Sequence, residues 1–128
     1  MIYIGTSAVL RLVHPEAESG VLRTWLASHP DDLVSSALVR TEARRALLRN
    51  DPAALPQLPA ILSVIAQIPV SEAILDAAAM FPDPLLRSLD AIHLASAQSI
   101  AAVTAVLAYD KHLIDAARNV GLTVASPA

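Results

Sequence analysis

Three carboxylates stand where an alternating α/β chain could gather them around a hard cation: Glu42, Asp90 and Asp110. Asp110 directly follows an apolar run that ends at Tyr109. Asp90 falls in the first turn of an Ala-rich helix, where free backbone N–H groups and the helix dipole favour negative charge. Glu42 lies one turn inside an Arg-rich helix, with Leu38 and Ala46 along its row. Mg²⁺ or Mn²⁺ asks for hard oxygen ligands and lets water and a substrate phosphate complete its octahedron. A cation so held polarises a phosphodiester, acidifies a bound water and stabilises the developing oxyanion. Each acid also has a plain reading by itself: Glu42 as a surface acid paired with an Arg, Asp90 as a helix-start acid, Asp110 as a turn residue.

Other residues could support that chemistry. Thr6 and Ser7 follow Gly5 at the end of the first apolar run, and His93 sits one turn after Asp90 on the same helix face. His93 suits either a donor that orients the neighbouring carboxylate or a core histidine bonded to a backbone carbonyl. Arg87, just before the Asp90 helix, suits a phosphate. Arg40, Arg44, Arg45 and Arg49 fall within one ten-residue window and fit either phosphate contacts or a solvated face paired with acids. The net charge of −3 speaks against general nucleic-acid affinity, so the distribution of the basic residues matters more than their sum. Trp25, the single tryptophan, fits the core or an interaction surface. With three glycines in all, the chain has neither a dinucleotide fingerprint nor a Walker loop.

The elements that must position these groups follow from periodicity and breakers. Short stretches at 1–4, 31–35, 103–109 and 122–125 read as strands, with Ile68-Pro69-Val70 a candidate fifth. Helical spacing covers 8–13, 16–28, 37–50, 52–67, a helix after the Ser71 cap, 89–102 behind Ser88, and 111–120 up to Gly121. Leu38, Ala43, Ala46 and Leu47 are expected to face inward from the third helix, and Ile74, Leu75 and Ala78 from the helix after Ser71. Strands alternating with helices imply a parallel sheet covered on both faces, here four- to five-stranded within one domain over 1–128. In such sheets ligands gather beyond the carboxyl ends of the strands. Gly5 and Asp110 fall there.

Composition sets the surroundings. Of 128 residues 55% are hydrophobic and only 3% aromatic, so the core must be built of Ala, Val, Leu and Ile. The absence of cysteine excludes disulfides and thiolate metal sites and suits a reducing compartment. Mean hydropathy is +0.52, and the uncharged stretches 53–71 and 91–109 approach spanning length. Pro56, Pro59 and Pro69 interrupt the first, and His93, Ser96, Gln98, Ser99 and Thr104 dilute the second. The first residues lack the order of a signal peptide, so a cytoplasmic location is expected.

Four blocks share a wider pattern. MIYIGTSAVLRLV resembles the opening of PIN-domain toxins of the VapC type, SSALVRTEARRALLR their second block centred on Glu42, LRSLDAIHLASA their third with Asp90 and His93, and LAYDKHL their fourth with Asp110. The resemblance implies a PIN-like three-layer α/β/α fold. It also implies a Mg²⁺-dependent (or Mn²⁺-dependent) endoribonuclease acting on tRNA or rRNA in a bacterial type II toxin–antitoxin pair. By the same resemblance Glu42, Asp90 and Asp110 become metal ligands and Thr6 a hydroxyl near the metal or its waters. A homodimer silenced by a VapB-type antitoxin is the implied assembly.

The first block departs from the family pattern. Where the family carries its first Asp, this chain has Gly5, which offers no side-chain oxygen and removes one negative charge. Losing one member of a catalytic unit commonly costs several orders of magnitude. The chain is therefore expected to be either a strongly impaired nuclease or a catalytically silent domain of the same fold that binds RNA or antitoxin.

Overall fold

β1 (Ile2–Ile4) lies at the centre of the molecule, and its three residues face alternately to two separate cores. Ile2 and Ile4 join a cluster with Val9, Leu22, Val39, Leu47 and Leu58, whereas Tyr3 joins Val34, Leu94, Val106 and Leu113 on the opposite face. The computed structural model describes residues 1–128. Five parallel strands form one sheet in the order β3-β2-β1-β4-β5, where β2 is Leu33–Ser36, β3 Ile65–Ile68, β4 Ala105–Leu107 and β5 Val124–Ala125. The helices α1 (Thr6–Val13), α2 (Ser19–Ser28), α3 (Leu38–Asn50) and α4 (Leu58–Leu62) supply the first core; α6 (Ser88–Gln98) and α7 (Lys111–Asn119) supply the second. α5 (Glu72–Ala79) packs on α6 through Ile74, Ala78, Ala91 and Ala95. The result is the three-layer α/β/α arrangement expected from the sequence, with small residues allowing close helix approach.

Several boundaries differ from expectation for identifiable reasons. The helical stretch expected over 52–67 breaks into a 3-10 helix (Pro52–Gln57), α4 and β3. Pro56 and Pro59 remove backbone donors there. The third strand precedes Pro69 instead of containing it, pairing Leu33 to Ile65 and Ser36 to Ile68 at the edge of the sheet. α2 begins at Ser19, not residue 16, because the Ser19 hydroxyl accepts from the Glu16 N–H at 2.9 Å and donates to the Arg11 carbonyl at 2.7 Å, closing a turn. Ser71 caps α5 as expected, accepting from Ile74 N–H at 3.3 Å. Ser88 does not cap α6; it is the first helical residue, the extended Arg87 holds the cap position, and the helix ends at Gln98. Val39, not Leu38, joins Ala43 and Leu47 in the core, and Leu75 is 45% exposed rather than inward. Trp25 is half-buried against the first core and stacks on His29 at 3.9 Å. No helix is long and apolar enough to cross a membrane.

Candidate functional site

The chain leaves β1 for one side of the sheet and later returns to add β4 on the other, so the order reverses between β1 and β4. The carboxyl ends of these two strands flank the crevice in which open parallel sheets place their ligands. Gly5 follows β1 there, its N–H bonded to the Leu107 carbonyl at 2.9 Å. Asp110 follows β4 as the N-cap of α7, one carboxylate oxygen accepting from His112 N–H at 3.0 Å. Ser7 latches the two strands: its hydroxyl oxygen accepts from Tyr109 N–H at 2.9 Å and from Asp110 N–H at 3.3 Å. Arg11, one turn further along α1, lies over the Tyr109 ring at 4.2 Å.

Asp90 reaches the same place from the first turn of α6. Burial, then the nearby Asp110 carboxylate, pushes the Asp90 carboxyl above its usual range, against the opposing pull of His93 and His112. Two acids pressed together in this way fit a divalent cation, whose charge relieves their repulsion.

Glu42 lies to one side. Its Oε1 accepts from the Thr6 hydroxyl at 2.8 Å and meets His93 Nε2 at 2.6 Å. Burial alone would raise this carboxyl, but the His93 hydrogen bond and charge, with the Thr6 hydroxyl, bring it below its ordinary value. Both contacts fall on Oε1, so Oε2 faces no hydrogen-bond donor of the chain. His93, 3% exposed, continues the chain of bonds through Nδ1 to the Tyr3 hydroxyl at 2.7 Å, and that oxygen accepts from Ser36 N–H at 3.1 Å.

The structure thus brings Asp90 and Asp110 together and ties Glu42 to the same neighbourhood through His93, but no three His, Asp or Glu side chains converge at metal-ligand spacing. Glu42 pairs with no Arg, and His93 bonds Glu42 and Tyr3 rather than Asp90 or a backbone carbonyl. Thr6 directs its hydroxyl to Glu42. Arg87, Arg44 and Arg45 are exposed and form no ion pair; Arg40 and Arg44 border a groove facing Leu55 and Leu62. The groups available to a cation are the Asp90 and Asp110 carboxylates and Oε2 of Glu42, all hard oxygens. Gly5 contributes none.

At Gly5 the backbone is extended (φ −78°, ψ 162°), and an added Cβ would meet Ala108 and Leu113 at 3.4 Å and the Leu107 carbonyl at 3.6 Å. A side chain is therefore accommodated in ordinary contact. Tyr3 and Ser36 are the participants that sequence reasoning missed. The one available signal was a phenol within an otherwise aliphatic buried strand.

The PIN domain family model matches residues 2–119. Ribonuclease VapC35 of Mycobacterium tuberculosis is 40% identical over 131 residues, covering 99% of this chain and 97% of that protein. Among solved structures, Mycobacterium tuberculosis VapC20, described as a Sarcin-Ricin loop cleaving toxin, superposes with a TM-score of 0.76 at 21% identity, covering 91% of this chain and 95% of that one. A toxin-antitoxin complex from Klebsiella pneumoniae gives a TM-score of 0.75 at 18% identity, covering 100% and 98%. Sequence blocks, sheet order and full-length similarity agree: the chain belongs to the PIN-domain family, among its VapC-type toxins.

Proposed function

We propose that this chain is the toxin of a type II toxin–antitoxin pair, an endoribonuclease hydrolysing phosphodiester bonds of tRNA or rRNA with Mg²⁺ or Mn²⁺, and that Gly5 leaves it strongly impaired. The observation that carries this reading is the Asp90–Asp110 pair at the sheet's switch point, with Glu42 linked to the Asp90 helix through His93. When bound, the cation would polarise the scissile phosphate and acidify a water. Asp90 and Asp110 would hold it from the two flanking helices, and Glu42 would complete the set through Oε2. Thr6 and His93 hold Oε1 and so aim the carboxylate, while Ser7 fixes the backbone that carries Asp110. Arg87, Arg44 and Arg45, free of ion pairs, offer contacts for RNA phosphates. Family membership supports a homodimer and a VapB-type antitoxin as partner, and the chain acts as one domain over 1–128 in the cytoplasm.

Gly5 removes one oxygen ligand and one charge from this set, which accounts for the expected loss of several orders of magnitude. Because the backbone there accepts a side chain, Gly5→Asp should yield a folded protein that cleaves RNA in Mg²⁺ and arrests growth on expression. Adding Asp90→Asn should abolish both effects. A folded but inert Gly5→Asp protein would overturn the nuclease reading. It would favour a silent binding module, whose attachment to RNA or antitoxin ignores Mg²⁺ and is unchanged by the substitution.

A further inference from the structure

We infer that Tyr3 is a positioning residue: its buried hydroxyl fixes His93 as the Nε2–H tautomer and, through that ring, holds Glu42 by Oε1 so that Oε2 stays open to a cation. Only the last step rests on the proposed nuclease function. The first concerns hydrogen bonds within the chain.

The Tyr3 hydroxyl oxygen accepts the Ser36 N–H at 3.1 Å and lies 2.7 Å from His93 Nδ1, which takes the phenol proton in the inferred arrangement. Burial holds the phenol above its ordinary range, so that proton stays in place. A ring nitrogen that accepts a hydrogen bond carries no hydrogen, so the neutral ring must carry its hydrogen on Nε2. That nitrogen lies 2.6 Å from Oε1 of Glu42, the distance of a charge-assisted bond. Reversing the tautomer would set a lone pair against the carboxylate, losing that contact, and would leave the phenol proton without Nδ1 as its acceptor.

The anchor is rigid. Tyr3 is completely buried in the central strand, paired to β2 on one side and β4 on the other. Its ring meets His93 edge-on at 6.0 Å between centroids, with the planes at 80°. The sheet thereby sets the orientation of a side chain from α6, which in turn sets one from α3. With Thr6 also donating to Oε1, rotation of the Glu42 carboxylate is blocked from two directions, and Oε2 is the oxygen left open. A tyrosine serving only to fill space would lose little on becoming Phe beyond its bond from Ser36.

Nitrogen-15 NMR of the His93 ring, on the whole chain at neutral pH without metal, tests the first step. The unaltered protein should show an unprotonated Nδ1 and a protonated Nε2, and Tyr3→Phe should replace this single pattern by a mixture. A proton on Nδ1 in the unaltered chain, or an unchanged pattern in Tyr3→Phe, would overturn the inference. Should Tyr3→Phe fail to fold, the spectrum of the unaltered chain still decides. For the last step, Mn²⁺ alone is titrated into the Gly5→Asp protein. Tyr3→Phe should weaken binding about tenfold, and the effect should disappear in a His93→Ala background. Persistence of the full effect without His93 would assign Tyr3 to packing and overturn its positioning role. A Gly5→Asp protein that neither binds Mn²⁺ nor cleaves RNA would instead sink the nuclease reading, while the ring spectra still judge Tyr3.

Discussion

Asp90 and Glu42 respond to burial in opposite net directions, because one faces a like charge and the other faces donors. For Asp90 the folded state binds its proton more tightly than the unfolded chain. The stability this provides is complete below the ordinary value of 3.8 and is lost as pH rises through the higher folded value. Asp90→Asn, which removes the partly buried charge, should therefore raise the melting temperature at pH 7, and the gain should shrink as pH falls toward that ordinary value. Thermal melts across pH, with and without Mg²⁺, check this; the cation should protect the unaltered chain more than the variant. Glu42 behaves oppositely. Its bonds stabilise the fold above the ordinary value of 4.5 and are lost as pH falls through the lowered one. All three acids were visible in the sequence because each sits in a recognisable block. Their roles were less so: pairing of Glu42 with an arginine looked reasonable along one helix, yet its partners came from α1 and α6. Such contacts depend on how separate elements cross, which no local spacing encodes.

At the scale of elements, Asp110 has two duties that substitutions can separate. Its side chain caps α7 by accepting from His112 N–H. Asn retains that acceptor whereas Ala removes it. Asp110→Asn keeps the cap and removes the charge that repels Asp90, so it should resist chemical denaturation at least as well as the unaltered chain, while Asp110→Ala should be less stable than Asp110→Asn by about 1 kcal/mol; in the Gly5→Asp background both should abolish RNA cleavage. Equal stability loss in the two variants would remove the capping role. The helix starts show what local sequence can and cannot fix. Ser71 and Ser88 both precede apolar helical runs, but only Ser71 adopts the extended cap conformation and accepts a bond, whereas Ser88 is already helical because Arg87 makes the turn. Proline was a sounder guide to disruption than to placement. It marked the trouble between 52 and 69 without revealing that a strand would be cut out just before Pro69.

For the whole molecule, the alternation of strands and helices made a parallel sheet with two covered faces legible, since both cores require it. The five-strand order was not legible, because two-residue β5 and edge strand β3 carry little hydrophobic signal of their own. The overall charge of −3 means that any grip on RNA must come from local arginines rather than from the general field. In a Gly5→Asp, Asp90→Asn protein, which should bind without cutting, RNA affinity should fall with salt. Removing Arg44, Arg45 or Arg87 singly should flatten the slope of log affinity against log salt by about 0.7 for single-stranded RNA. Filter binding at a series of salt concentrations measures this. Slopes that none of the three substitutions alters would move the binding face elsewhere.

The space at Gly5 has a consequence for inheritance. Its extended backbone imposes no requirement for glycine, and the surrounding atoms leave ordinary room for a Cβ. On the proposed reading, one codon change with no compensating alteration separates a tolerated gene from a poisonous one. A lineage carrying this allele could shed the neutralising partner without harm, and a later back-mutation would then kill the cell that acquired it.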